Sequence, residues 1–293
     1  MAAPLKQVPW HNIPKLLQSL EKKLPESIVV LQWIKTHMEW RENTPGLDVK
    51  ILTVDGDWKD GSVACVADGI VGSNNMYGVI YATAEKAEEF KSAAKSSKLV
   101  EWNRVKRLSS VLQRNTQMVV EILEFQGCKP FNVVEGECYL HYISAEEAAQ
   151  FKLPELPENV RVGPLEEQHL QILCDNWRHY DPDYKPVNLH LIKRNATVGV
   201  FEKNEQGEEM LASMVLHCEY GAVGLLQTLP EHRRKGYAAI ALAHISRIMG
   251  QKGFMPYGTV LTFNEMSSQL FKKFGFKQLE GVTTFICITP FKQ

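Results

Sequence analysis

From residue 160 onward the hydrophobic positions alternate between strand and helix periods. A short apolar run at 160–165 predicts a strand, and a helical period follows over 166–177. Asp181-Pro182-Asp183-Tyr184 and Pro186 break the chain before a second short helix at 187–193. Strands are predicted at 197–201 and 210–217, and the polar, Gly-containing turn 204–207 between them makes a hairpin. Residues 222–229 are apolar almost without interruption, which predicts a central strand covered on both faces. At Gly236 the period changes to helical, with Tyr237, Ile240, Ala241, Ile245 and Ile248 on one face and a stop at Gly250 or Gly253. A strand at 258–263, a helix at 265–273 and a strand at 282–289 complete the order βααβββαβαβ. That order predicts an α/β (α+β) domain around a mixed sheet.

The first half shows the same mixture less clearly. Ile13, Leu16, Leu17, Leu20 and Leu24 form an amphipathic stripe. Strands are predicted at 49–54, 63–67, 78–82 and 138–143, and helices at 85–97 and 117–125. Between the halves, Lys152-Leu153-Pro154-Glu155-Leu156-Pro157-Glu158-Asn159 reads as an extended connector. The expected domains are therefore 1–152 and 157–293.

Composition sets outer limits on function. The chain has 293 residues, 44% hydrophobic and 23% charged, with a formal net charge of −1. No global field draws it to nucleic acid or an anionic membrane, so an anion site must be local. The six cysteines are scattered, lack metal spacing and sit mostly in apolar runs, so the expectation is a reduced intracellular protein without a metal. No stretch is long and apolar enough to span a bilayer, and the N-terminal segment lacks a secretory pattern. The cytoplasm is favoured as the location, with the mitochondrion kept open.

The stretch that carries chemistry is Leu225-Leu226-Gln227-Thr228-Leu229-Pro230-Glu231-His232-Arg233-Arg234-Lys235-Gly236-Tyr237-Ala238. It reads as a strand, a Pro-marked turn, a basic loop and a helix start. The first turn of a helix offers unpaired N–H groups and a partial positive charge, which together bind phosphate. Gly236 permits close backbone approach, and Arg233, Arg234 and Lys235 add charge at the rim.

Arg233-x-x-Gly236-x-Ala238 resembles the coenzyme A signature of the GNAT acyltransferase superfamily. Asn264-Glu265-Met266-Ser267-Ser268-Gln269-Leu270-Phe271-Lys272-Lys273-Phe274-Gly275-Phe276 is similar to that superfamily's Asn-x-x-Ala-x-x-x-Tyr-x-x-x-Gly-Phe block. Thr228-Leu229-Pro230-Glu231-His232-Arg233 resembles the Thr-Leu-Pro-Glu-Tyr-Arg of glycine N-acyltransferases, and Leu17-x-x-Leu20-x-x-x-Leu24-Pro25-x-Ser27 resembles their opening helix.

The resemblance implies two GNAT-like domains in tandem, the first degenerate and without cofactor. It implies transfer of an acyl group from acyl-CoA or acetyl-CoA to a small-molecule amine such as glycine or another amino acid. The alternatives are a protein N-acetyltransferase and a catalytically silent acyl-CoA-binding protein. The implied cofactor contacts are Leu226, Gln227, Thr228, Arg233, Arg234, Lys235, Gly236, Tyr237, Ala238, Asn264 and Phe271. Where many members place a proton-donating Tyr this chain has Phe271, and the usual Glu base aligns with Ala222. Glu219 is the substitute base expected here, with His217 and Glu265 behind it and Tyr220 as a candidate acid. Trp177, His179, Tyr180 and Tyr184 mark the region where the superfamily builds its acceptor pocket.

Overall fold

A computed structural model describes residues 3–132 and 136–290; Met1 and Ala2 of the N-terminal segment lie outside the described residues. The first half runs β1 (Leu5–Gln7), α1 (Ile13–Glu21), α2 (Ile28–Asn43), β2 (Asp48–Val54), β3 (Val63–Asp68), β4 (Met76–Tyr81), α3 (Ala87–Ser96), β5 (Val105–Leu112), α4 (Gln113–Phe125), β6 (Cys128–Asn132) and β7 (Cys138–Tyr142). A short α5 (Ala145–Ala149), capped by Ser144 and Glu147, leads to the connector. The second half repeats that order: β8 (Val160–Gly163), α6 (Leu170–Asn176), α7 (Lys185–Arg194), β9 (Thr197–Lys203), β10 (Glu209–His217), β11 (Val223–Thr228), α8 (Tyr237–Gln251), β12 (Tyr257–Leu261), α9 (Glu265–Lys273), β13 (Lys277–Gln278) and β14 (Thr283–Pro290). The expectation of two similar α/β units in tandem holds.

Each sheet is covered on both faces by helices. In β3, Val63, Cys65 and Ala67 face α1 and α2, while Ala64 and Val66 face α3 and α4. In the second half Val198, Val200, Ala212 and Val215 pack under α8, and Phe201, Leu211, Met214 and Leu216 pack against α6 and α7. Fully burying such a side chain contributes about 1.5–3 kcal/mol. All six cysteines are buried and free within these cores.

The last strands of the two halves are exchanged. β14 lies between β5 and β6, pairing Cys287 with Arg107 and Ile288 with Pro130. β7 lies between β12 and β13, pairing Leu140 with Thr259 and His141 with both Gly258 and Gln278. A bridge from Thr283 to Cys138 joins the two arrangements into one continuous sheet. The connector at 152–159 thus parts the chain, while hydrogen bonding crosses it in both directions.

Two elements depart from the sequence pattern. Helix α2 has no amphipathic signal because Ile28, Val29, Val30, Leu31, Trp33, Ile34, His37 and Trp40 are buried around its whole circumference. Strand β11, expected as a fully covered central strand, is the edge of the four-stranded sheet β11-β10-β9-β8. Residues 224–228 are only half-buried. The sheet splits beside β11, so its apolar side chains border a gap instead of a neighbouring strand.

Candidate functional site

The site is built around that split. In the first half β4 and β5 pair in parallel, Met76 with Val105 and Gly78 with Leu108. The corresponding strands β11 and β12 belong to different sheets. Near their N-terminal ends the Tyr257 hydroxyl donates to the carbonyl of Tyr220, in the turn before β11, at 2.6 Å. β11 also carries a bulge: Leu216 pairs with Gly224 and Met214 with Gln227, so Leu225 and Leu226 together face Val215. Leu225 has φ 54°, in the left-handed region. The bulge leaves two residues of β11 opposite one of β10, so the ladder is interrupted there.

At the open end the chain enters the basic loop. Arg234 (φ 63°) and Gly236 (φ 83°) both adopt left-handed backbone, the second as N-cap of α8 without any side-chain cap. A Cβ on Gly236 would meet nothing within 4 Å, so glycine is there for conformation and not for space. No side chain caps the first turn of α8, whose start at Gly236 is exposed. Arg233 and Arg234 are exposed, and the Arg233 Nε donates to the Thr228 carbonyl at 3.3 Å.

Lys235 is placed differently from its expected part at the phosphate rim. Its Nζ binds both oxygens of Glu202 at 2.9 Å, and the same carboxylate binds His232 Nδ1 at 2.6 Å. Burial alone would raise the Glu202 carboxyl, but hydrogen bonds from Lys235, His232 and Tyr237 outweigh it and bring it down to about 2. Burial and Glu202 push the Tyr237 phenol up to about 12. Glu202 on β9 therefore fastens the loop from behind. Nothing in the sequence signalled it, because its partners lie 30 residues and more downstream.

The remaining expected contacts fall on both sides of the split. Leu226 packs toward α8, and Gln227 points the other way, donating to the Leu173 carbonyl at 3.2 Å. Thr228 shares a hydrogen bond with Ser213 at 2.9 Å, Ala238 is half-buried, and Asn264 caps α9 by accepting from Ser267 N–H at 3.2 Å. Phe271 is 4% exposed and stacks on His141 of the exchanged strand at 5.6 Å. Its ring tip closes on β12 so tightly that a Cβ on Gly258 would sit 2.4 Å from it. Phe271 fills the wall beside the split, and its side chain brings no proton donor there.

The acid/base candidates separate clearly. His217 is buried against α2, 3.2 Å from the Thr36 hydroxyl, and burial pushes it down to about 3; it faces away from the split as a neutral ring. Glu265 is exposed in the first turn of α9. Glu219, expected as the substitute base, is buried: its side chain is 2% exposed and accepts from Arg107 Nη2 at 2.7 Å. The reason is the first half, whose strand β5 brings Arg107 directly over the turn after β10. Tyr220 lies at the closed end of the split. Its hydroxyl sits 3.4 Å from where a Cβ on Gly224 of β11 would stand, and it shares a hydrogen bond with Thr259 of β12. Burial holds that phenol well above its ordinary value.

The aromatic region between α6 and α7 is also tied to the first half. Lys106 binds Asp183 at 2.8 Å and Asp181 at 3.1 Å, Arg107 donates to the Tyr184 hydroxyl, and Tyr184 packs edge-on against Tyr77 at 5.0 Å. Trp177 and His179 contact each other at 6.0 Å further out. Among the described residues, no group of His, Cys, Asp or Glu is placed to hold a metal ion. Among them too, no helix is long and apolar enough to cross a membrane.

Known proteins place this geometry. The family profile described as FR47-like protein matches residues 197–285, the segment holding the split, the loop and α9. A solved Drosophila protein is 18% identical, with a TM-score of 0.81 over 99% of this chain and 100% of its own. A structure described as a tandem GNAT protein from the clavulanic acid biosynthesis pathway is 9% identical, with a TM-score of 0.50 over 96% of this chain and 97% of its own. Comparison with curated proteins gives no match. Residues 197–285 are thus similar to the FR47-like family, and the chain shares the two-unit fold of these structures.

Proposed function

We propose that the protein is an acyl-CoA-dependent N-acyltransferase whose acceptor is a small amine such as glycine or another amino acid. The observation that carries this reading is the split between β11 and β12, half-exposed along its apolar edge and ending at an uncapped helix start. The edge suits a pantetheine arm, and the α8 amides with Arg233 and Arg234 suit its pyrophosphate. Backbone groups freed by the bulge at Leu225 are placed to polarise a thioester carbonyl. The amine nitrogen bonds to that carbon as the C–S bond breaks.

Tyr220 is the hydroxyl at the split, and we assign it the proton delivered to the departing thiolate. Glu219 we assign to holding Arg107, since 2% exposure leaves it no path to a substrate amine. The acceptor then reacts as the free base drawn from solution, and kcat/KM rises about tenfold per pH unit toward the amine's own pKa, ~10. The test is a thiol-release screen of several acyl-CoAs against an amino-acid panel, repeated across pH. Heat protection by coenzyme A without thiol release from any amine would reduce the protein to a binder.

A further inference from the structure

We infer that Arg107, supplied by the half without the coenzyme A loop, reads the acceptor by receiving a carboxylate carried beside the reacting amine. This rests on the acyl-transfer reading above. Arg107 stands on β5 opposite Cys287 of the exchanged strand β14, so the exchange delivers a first-half cation to the closed end of the second-half split. Its guanidinium is framed by the rings of Tyr184 at 4.5 Å, Phe285 at 5.4 Å and Tyr220 at 6.0 Å. Burial works against its charge, yet Tyr184, Glu219 and Tyr220 around it hold it above its already high ordinary value.

The arrangement leaves binding capacity unused. Nη2 is engaged by Glu219 and Tyr184, but Nε is buried without a partner. An N–H left unpaired in such a place costs about 1–3 kcal/mol, so the guanidinium is held short of its full set of partners. The side chain of Arg107 keeps 22% exposure and that of Glu219 only 2%. A ligand entering from the split therefore meets the cation and not the carboxylate behind it. The planar fork of a guanidinium matches the two oxygens of a carboxylate, and the flanking rings fix its plane. Tyr220 touches both this frame and the split, so a carboxylate on Arg107 puts an amine on the adjacent carbon next to the thioester position. A protein lysine brings its ammonium with no neighbouring carboxylate, and Arg107 repels it.

The test compares glycine, glycinamide and methylamine as acceptors, with the acyl-CoA that gives the fastest thiol release. The wild type is expected to favour glycine over glycinamide by at least about 100-fold in kcat/KM, the scale on which unpaired polar groups in a site reject an analogue. Replacing the pair together, Arg107→Met with Glu219→Leu, avoids stranding one buried charge and preserves folding. In that variant the glycine-to-glycinamide ratio should collapse to about one. Arg107→Lys, which keeps the charge and loses the fork, should give an intermediate ratio.

Equal use of glycine and glycinamide by the wild type overturns the inference, as does a double variant that slows both acceptors by the same factor. Should no amine release thiol, calorimetry on the coenzyme A-saturated protein decides. Glycine binding that disappears in the double variant and weakens in Arg107→Lys upholds the inference and sinks only the acyl-transfer reading. Absence of glycine binding overturns both.

Discussion

The two halves share one order of elements and differ most at the junction of the fourth and fifth strands. In the first half β4 is buried along its whole length and paired to β5, and Gly78 fits it between its neighbours: a Cβ there would lie 2.4 Å from the Cys65 carbonyl of β3 and 3.3 Å from Leu108 of β5. The loop after β4 has no glycine from 82 to 86, and its backbone is satisfied internally. The Ala82 N–H donates to Asn115 Oδ1 at 3.3 Å, and the Thr83 N–H to the Ser62 hydroxyl at 3.1 Å. In the second half the strands part and the edge stays half-exposed; neither α3 nor α8 has a side-chain cap, but only α8 starts at a glycine in left-handed backbone. A fold becomes a ligand site where its own hydrogen bonding is left incomplete, and a closed copy of the same fold becomes a scaffold.

The comparison can be broken most severely at the loop. Gly236→Asp puts a β-carbon into left-handed backbone and a carboxylate against the phosphate position. Coenzyme A affinity measured by calorimetry should fall at least about 100-fold, the scale of losing several charge-assisted contacts. The matching first-half change, Lys86→Asp, should leave it untouched.

The closed half is tested through its packing. Gly78→Val forces β-branched bulk against Cys65 and Leu108. It should cost about 1–3 kcal/mol in denaturant unfolding while altering coenzyme A binding little in the folded fraction.

A smaller effect separates the halves at their contact. His37 and His217, both buried around α2, are pushed down to about 3 by loss of solvent. Their folded values lie below the ordinary 6.5, so the unfolded chain binds protons first. The stability they contribute is intact above pH 6.5 and falls as pH drops from there toward 3. Between pH 6.5 and 5.5 the loss should reach about 1 kcal/mol per histidine, read as a falling denaturant midpoint and reduced in His217→Gln. The smallest change expected is Arg234→Ala: an exposed charge at the phosphate rim should weaken coenzyme A binding about fivefold, and less at high salt.

Much of this was legible in the sequence where the signal is local. The strand–loop–helix passage into Gly236 and the α9 block stand where their periodicity put them. Helix α2 was not legible, because a helix buried on every side has no stripe to read. Strand β5 was missed because Lys106, Arg107, Ser109 and Ser110 interrupt its apolar pattern for reasons supplied by distant partners. The destination of β14 was hidden for the same reason: its partners on β5 lie more than 170 positions upstream, and either sheet accepts its alternating apolar face. Glu219 and Lys235 were visible as charges, but Arg107 and Glu202, which decide what those charges do, share no motif with them.

The strand exchange also has a consequence for how the protein is made. During synthesis the first half emerges with a vacant place between β5 and β6, and the segment that fills it is made only after every other strand of the second half. Until then β5 presents an open edge, the kind of surface that recruits foreign strands and the holdase chaperones that shield them. A chain stalled or truncated before residue 283 loses the tail of its second half and leaves its first half unfinished as well. Synthesis through β14 is thereby a condition for the first half to complete its sheet.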